Sequence, residues 1–195
     1  MKRLTWNAIF LLATLSVAAQ SSKSPWSFDA GAGALPTFIS DQAQVNIWPV
    51  SLQAGYRFSE LFELGIYAGL SSSTSATVVE FGSELARYEN VHLVTGLRGE
   101  FHANRFERVD LYGGFMLAYY RSFVDRIAVD EIGVALPPDP EPSTNKPYAV
   151  PEATGKVLPT GFVGAIYFPA ERIGLFAELG YAVSLVQVGL HVKLR

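Results

Sequence analysis

Two alternating segments joined by a short polar turn, between Glu89 and Phe123, constrain this chain more than anything else in it. Val91, Leu93, Thr95, Leu97, Gly99 and Phe101 point one way, and Asn90, His92, Val94, Gly96, Arg98, Glu100 and His102 the other. After the turn at Asn104 to Arg108, Leu111, Gly113, Phe115, Leu117 and Tyr119 oppose Asp110, Tyr112, Gly114, Met116, Ala118 and Tyr120. A repeat of two with one apolar face is the signature of a strand, since successive side chains leave opposite sides of a pleated backbone.

The same pattern recurs along the chain. Strands are expected at Trp26 to Leu35, stopped by Pro36, at Ile47 to Phe58, and from Phe62 to Leu70. Beyond the central hairpin they are expected at Val157 to Phe168, Ile173 to Tyr181 and Val186 to the C-terminus. In the segment from Val157, Phe162, Ile166 and Phe168 are assigned to the apolar side, and Gly161, Val163, Ala165 and Tyr167 to the opposite one. The total is eight. The first, third and fifth connections are long and the second, fourth and sixth are tight turns, while the seventh, near Ala182 to Leu185, is short but falls on the long-loop side. An up-and-down barrel with that alternation carries its variable loops on one rim.

The run Ser71 to Ser75 opens the third connection and suits an exposed loop, while Val78, Val79 and Phe81 extend the flanking strands. The fifth connection, about Val124 to Lys156, holds six prolines and the acids Asp125, Asp130, Glu131, Asp139, Glu141 and Glu152, a composition that builds no packed core.

Composition decides where such a barrel resides. Charged residues are 17% of the chain, below the roughly 25% of soluble domains, and hydrophobic residues reach 49%. Outside the N-terminus no apolar run approaches the roughly 18 residues of a membrane helix, so the excess is dispersed through alternating strands. Lys2 and Arg3, the apolar run Ala8 to Leu15 and the small residues Ser16, Ala18 and Ala19 read as a signal peptide over residues 1–19, with the barrel domain over 20–195. There is no cysteine, hence no disulfide and no lipoprotein attachment site. A net charge of −3 without a basic patch argues against a nucleic-acid partner.

Alternation alone does not say which face is inside, because a soluble lipocalin-like ligand-binding barrel turns its apolar side inward. Aromatic residues near strand ends favour lipid on the apolar side: Phe28, Tyr56, Phe58, Phe62, Phe101 and Phe168 by the turns, Trp48 and Tyr119 by the loops. The opposite face, rich in glycine and other small residues, suits the narrow interior of eight strands. The expected fold is therefore an all-β, eight-stranded antiparallel up-and-down transmembrane barrel. Signal peptide, eight amphipathic segments and alternating turns and loops together resemble the small outer-membrane barrels of the OmpA/OmpX-like superfamily, over essentially the whole mature chain. That resemblance implies a Gram-negative outer membrane, contact with lipid and lipopolysaccharide, and delivery by the outer-membrane assembly machinery. The last strand resembles the signal that this machinery reads, ending on Leu194 and Arg195 where phenylalanine is usual. No peptidoglycan-binding domain is expected after the barrel.

By parity the lumen should hold Asp29, Glu63, Glu100 and Glu178, with Arg57, Arg98 and Lys193 and the histidines His92, His102 and His191. Buried charge is costly unless paired, so these groups are expected to form a salt-bridged network that plugs the interior, with Arg57 and Glu63 as one pair; the alternative is a gated ion path. His92 and His102 are roughly 33 Å apart along one strand and do not share a metal. Some barrels of this size modify lipid A with a histidine and a serine at the bilayer edge. No His-x-Ser pairing occurs here and all three histidines point inward, so neither catalysis, cofactor nor metal is expected. A surface partner would be met through the loop 124–156, and the barrel is expected to be a monomer with a structural or adhesive role.

Overall fold

The computed structural model describes residues 25–37, 43–79, 85–103, 106–130, 134–135 and 155–194. The expected signal peptide, Phe81 and most of the proline-rich segment lie outside these residues. Nine strands are present among them: β1 Trp26–Gly33, β2 Gln44–Arg57, β3 Phe62–Thr74, β4 Val78–Val79, β5 Leu85–Ala103, β6 Val109–Val129, β7 Lys156–Tyr167, β8 Ile173–Gly180 and β9 Val186–Leu194. Every neighbouring pair is antiparallel, in the order β3-β2-β1-β9-β8-β7-β6-β5, and β3 also pairs with β5, which closes the ring. The molecule is thus an all-β, eight-stranded up-and-down barrel, and β4 is a two-residue ribbon added to the outer end of β5. The first and last strands are neighbours in this ring, with Trp26 opposite Leu194.

Alternation sets the faces as expected on seven strands. One outward side chain from each of the eight, Phe28, Leu52, Ile66, Leu97, Phe115, Val163, Leu175 and Leu190, is between 46% and 66% exposed. At the short-turn rim, aromatic rings follow one another around the outside from β1 to β6. Trp26 to Tyr56 is 5.0 Å between centroids, Tyr56 to Phe58 4.9 Å, Phe58 to Phe62 6.3 Å, Phe62 to Phe101 5.3 Å and Phe101 to Phe115 6.4 Å.

The exception is β7. Ile166 is buried and Phe162 packs against the interior, whereas Val163 and Tyr167 are exposed, the reverse of the expected orientation. Both faces of this segment are apolar, so its period of two carries no sign. The sign comes from pairing, because Ile166 faces Asp110 of β6, an inward residue. Phe168, just past the strand, accordingly leaves the expected girdle and packs inside against Tyr112, Ile166 and Phe176.

Two boundaries also differ. Strand β3 continues through the serine run, whose Ser71, Ser72 and Ser73 are buried rather than in an exposed loop, and β6 runs to Val129, so the fifth connection begins as strand. Glu89 to Thr74 and Asp125 to Glu89 are in register, and this pairing carries β3, β5 and β6 past the point where alternation of apolar residues fades. Pro49 sits within β2 where the register with β3 shifts, a bulge that spares the ladder the donor proline lacks.

Candidate functional site

The interior divides into a polar half toward the short turns and an apolar half toward the loops. At the turn end, Arg57 at the close of β2 donates from Nε to Glu63 Oε2 of β3 at 3.2 Å and from Nη2 to Asp110 Oδ2 of β6 at 3.4 Å. His102 of β5 lies between them, with Nδ1 3.0 Å from Asp110 Oδ2 and also 3.0 Å from Arg57 Nη2. The Ser27 hydroxyl closes the group by donating to Glu63 Oε1.

One layer further in, Arg98 donates from Nε to Glu100 Oε1 at 2.7 Å and from Nη1 to Glu178 Oε1 at 3.0 Å, with Nη2 on the second Glu178 oxygen. Its guanidinium carbon lies 3.4 Å from the centroid of the Phe162 ring, so the inward turn of β7 supplies the face on which this cation rests. Tyr112 donates to Glu178 Oε2 at 2.9 Å, and Gln53 Nε2 to Glu100 Oε1 at 2.5 Å. The two layers meet at His102, whose Nε2 is 3.7 Å from Glu63 and 3.8 Å from Glu100. Arg98, Glu100, Glu63 and Glu178 are all buried, and charges taken out of water persist only with this density of partners.

Not every inward residue joins in. Asp29 and His191 form a separate pair, Nδ1 to Oδ1 2.5 Å, on the neighbouring strands β1 and β9. Lys193 makes no ion pair among the described residues; its ammonium sits 3.8 Å from the centroid of the Phe168 ring. His92 stands apart toward the loop end, where its Nδ1 is 2.8 Å from Oγ of Ser122, its direct partner across β5 and β6. That imidazole–hydroxyl contact is made through strand register, so no spacing along the chain announces it. Ser27, Gln53, Asp110 and Tyr112 complete the network and were missing from the expected set, although each occupies an inward position by simple alternation.

The loop-side half is closed by something sequence periodicity does not show. After Tyr181 the chain turns into the barrel mouth, and Ala182, Val183 and Ser184 are buried. Val183 packs in a cluster with Tyr67, Val94, Met116, Ala118 and Tyr120. The segment after β1 clamps it from outside. Thr37 Oγ1 donates to Ala182 O at 2.8 Å, Leu185 N to Leu35 O at 2.8 Å, and Leu35 N to Ser184 Oγ at 3.1 Å. Glycine leaves the room: a Cβ on Gly69 would stand 2.8 Å from Val183 Cβ, and one on Gly33 would strike Ser184. Between stopper and charge network remains a cavity of about 10 Å³ lined by Ser51, Tyr67, Arg98 and Gln187 among others, the lower limit for a single water. Among the described residues no cluster of three or more His, Cys, Asp or Glu is arranged to hold a metal ion.

No family model matches the chain, and no curated protein matches it. Among solved structures it is similar to Ail, the attachment invasion locus protein of Yersinia pestis. In complex with the heparin analogue sucrose octasulfate, Ail matches at 14% identity and a TM-score of 0.39, over 86% of this chain and 92% of that one. In a phospholipid bilayer nanodisc it matches at 13% identity and a TM-score of 0.41, over 88% and 100%. The barrel assignment stands on the strand pairing itself, and likeness of that degree adds no weight to any function.

Proposed function

We propose that this chain is an integral outer-membrane protein: a sealed barrel of residues 20–195 behind a signal peptide of residues 1–19, with its long connections outside the cell and its short turns in the periplasm. One observation carries the reading. The outward positions of all eight strands are uncharged, and apolar but for Thr95, from the aromatic rim at the turns to Trp48 and Tyr119 near the loops, while the charges inside, Lys193 apart, are paired. That arrangement inverts a water-soluble barrel, and water would meet a continuous apolar wall far larger than a monomer normally exposes. A lipocalin-like cup needs an apolar cavity, and here the middle of the interior is ionic.

A lumen filled by Arg57, Arg98 and their acids on one side and by Val183 on the other supports a structural or surface-contact role rather than conduction. Interaction with other molecules then falls to the connections on a rigid scaffold. The protein is expected to fractionate with outer membranes, to require detergent for extraction, and to migrate faster on gels unboiled than boiled. Release into the soluble fraction without detergent, with no mobility difference, would overturn the proposal.

A further inference from the structure

The outward faces of the eight strands carry four charged residues among those described: Arg87 and Glu89 on β5, Arg121 and Asp125 on β6. All lie on the loop-side extension of these two strands, and Arg121 is nearest the apolar wall, one outward position beyond Tyr119 and opposite Leu93. Its guanidinium carbon lies 4.7 Å from the centroid of Phe123, the next outward residue. Among the described residues it has no carboxylate within ion-pair distance, and Asp125 is four residues along the strand, roughly 13 Å away.

Tyr119 before it on β6 and Leu93 opposite it on β5 are uncharged, so Arg121 is the first cation met on the outward face beyond the apolar wall. Held on an aromatic face, a guanidinium keeps its planar fork free on the edge, and that fork fits phosphate oxygens in a bidentate manner. At the boundary of the hydrocarbon a lateral arginine reaches the headgroup layer, and the anion there belongs to the lipid. We infer that Arg121, supported by Phe123, is a lateral binding site for a phosphate of lipopolysaccharide in the surrounding leaflet. This rests on the outer-membrane orientation proposed above, since the loop-side end must face the leaflet that carries that lipid.

The full chain, purified in a neutral detergent, is titrated with bisphosphorylated lipid A and with the same glycolipid after removal of its phosphates. Each titration is repeated on Arg121→Gln and Arg121→Lys. Arg121→Gln is expected to weaken binding of the phosphorylated form about fivefold and leave the dephosphorylated form unchanged, with Arg121→Lys retaining a preference for phosphate. Equal affinity of the wild-type chain and Arg121→Gln for phosphorylated lipid A would overturn the site. Gel mobility of the same samples separates the two failures: a heat-modifiable barrel indifferent to Arg121 loses this site alone, whereas a chain soluble without detergent loses the membrane reading as well.

Discussion

Arg98 of β5 and Glu178 of β8 meet across the lumen, although β6 and β7 separate their strands around the wall; Nη1 donates to Oε1 at 3.0 Å, and Nη2 bonds the other carboxylate oxygen. The pair ties opposite sides of the barrel together, and Glu100 and Tyr112 share its charges.

Removing the cation should therefore be severe. Arg98→Met leaves Glu100 and Glu178 buried without their shared partner, a loss expected to cost about 3–5 kcal/mol. Urea unfolding of the barrel in lipid vesicles measures it. Adding Glu178→Gln to Arg98→Met should cost less than Glu178→Gln alone, because the acid no longer has a cation to lose; additive effects would show that the two are not coupled.

The loop-side stopper makes a separate prediction. Val183 is fully buried and its clamp consists of hydrogen bonds from Thr37 and Leu35. Replacing Val183 and Ser184 together by glycine removes both the apolar contact and the hydroxyl, and should let ions into the loop-side lumen. In planar bilayers the wild-type chain is expected to be electrically silent and the double variant to show brief openings. Equal silence would mean that the ionic layers around Arg98 suffice to seal the barrel.

The reversed orientation of β7 is tested by a pair of neighbouring positions. Val163 faces outward and Phe162 inward beneath Arg98. Val163→Arg puts a charge on the apolar wall and should reduce folding stability in vesicles by about 2–4 kcal/mol if the position lies near the bilayer midplane. Val163→Leu should be nearly neutral, and Phe162→Leu should weaken the barrel by removing the ring under the guanidinium. A harmless Val163→Arg would return β7 to the orientation its composition first suggested.

These positions also show what the sequence made legible. Strong alternation, as in Val186 to Leu194 or Val91 to Phe101, declares both a strand and which of its residues share the apolar side, because polar and apolar residues separate cleanly. In β7 both faces are apolar, so alternation finds the strand and only its partner β6 gives the sign. The ionic layers follow from parity for Arg57, Glu63, Arg98, Glu100, His102 and Glu178, yet which cation meets which acid depends on the curvature that brings β5 opposite β8. Asp110 shows the limit: it sits on a visible polar face, but its partnership with Arg57 and His102 arises only when β2 and β6 approach across the interior. The stopper has no periodic signal at all, and Gly33 and Gly69 reveal their purpose only when Ser184 and Val183 occupy the space they leave.

The central claim is that the apolar wall meets lipid. The chain contains no cysteine, so single cysteines can be introduced at Leu52, Ile66, Leu97 and Val163, outward residues on four different strands, and labelled with a fluorophore. In reconstituted vesicles, quenching by a lipid-borne nitroxide is measured against quenching by aqueous iodide. All four labels are expected to be quenched from the lipid and shielded from iodide; labels open to iodide and untouched by the nitroxide would contradict the account.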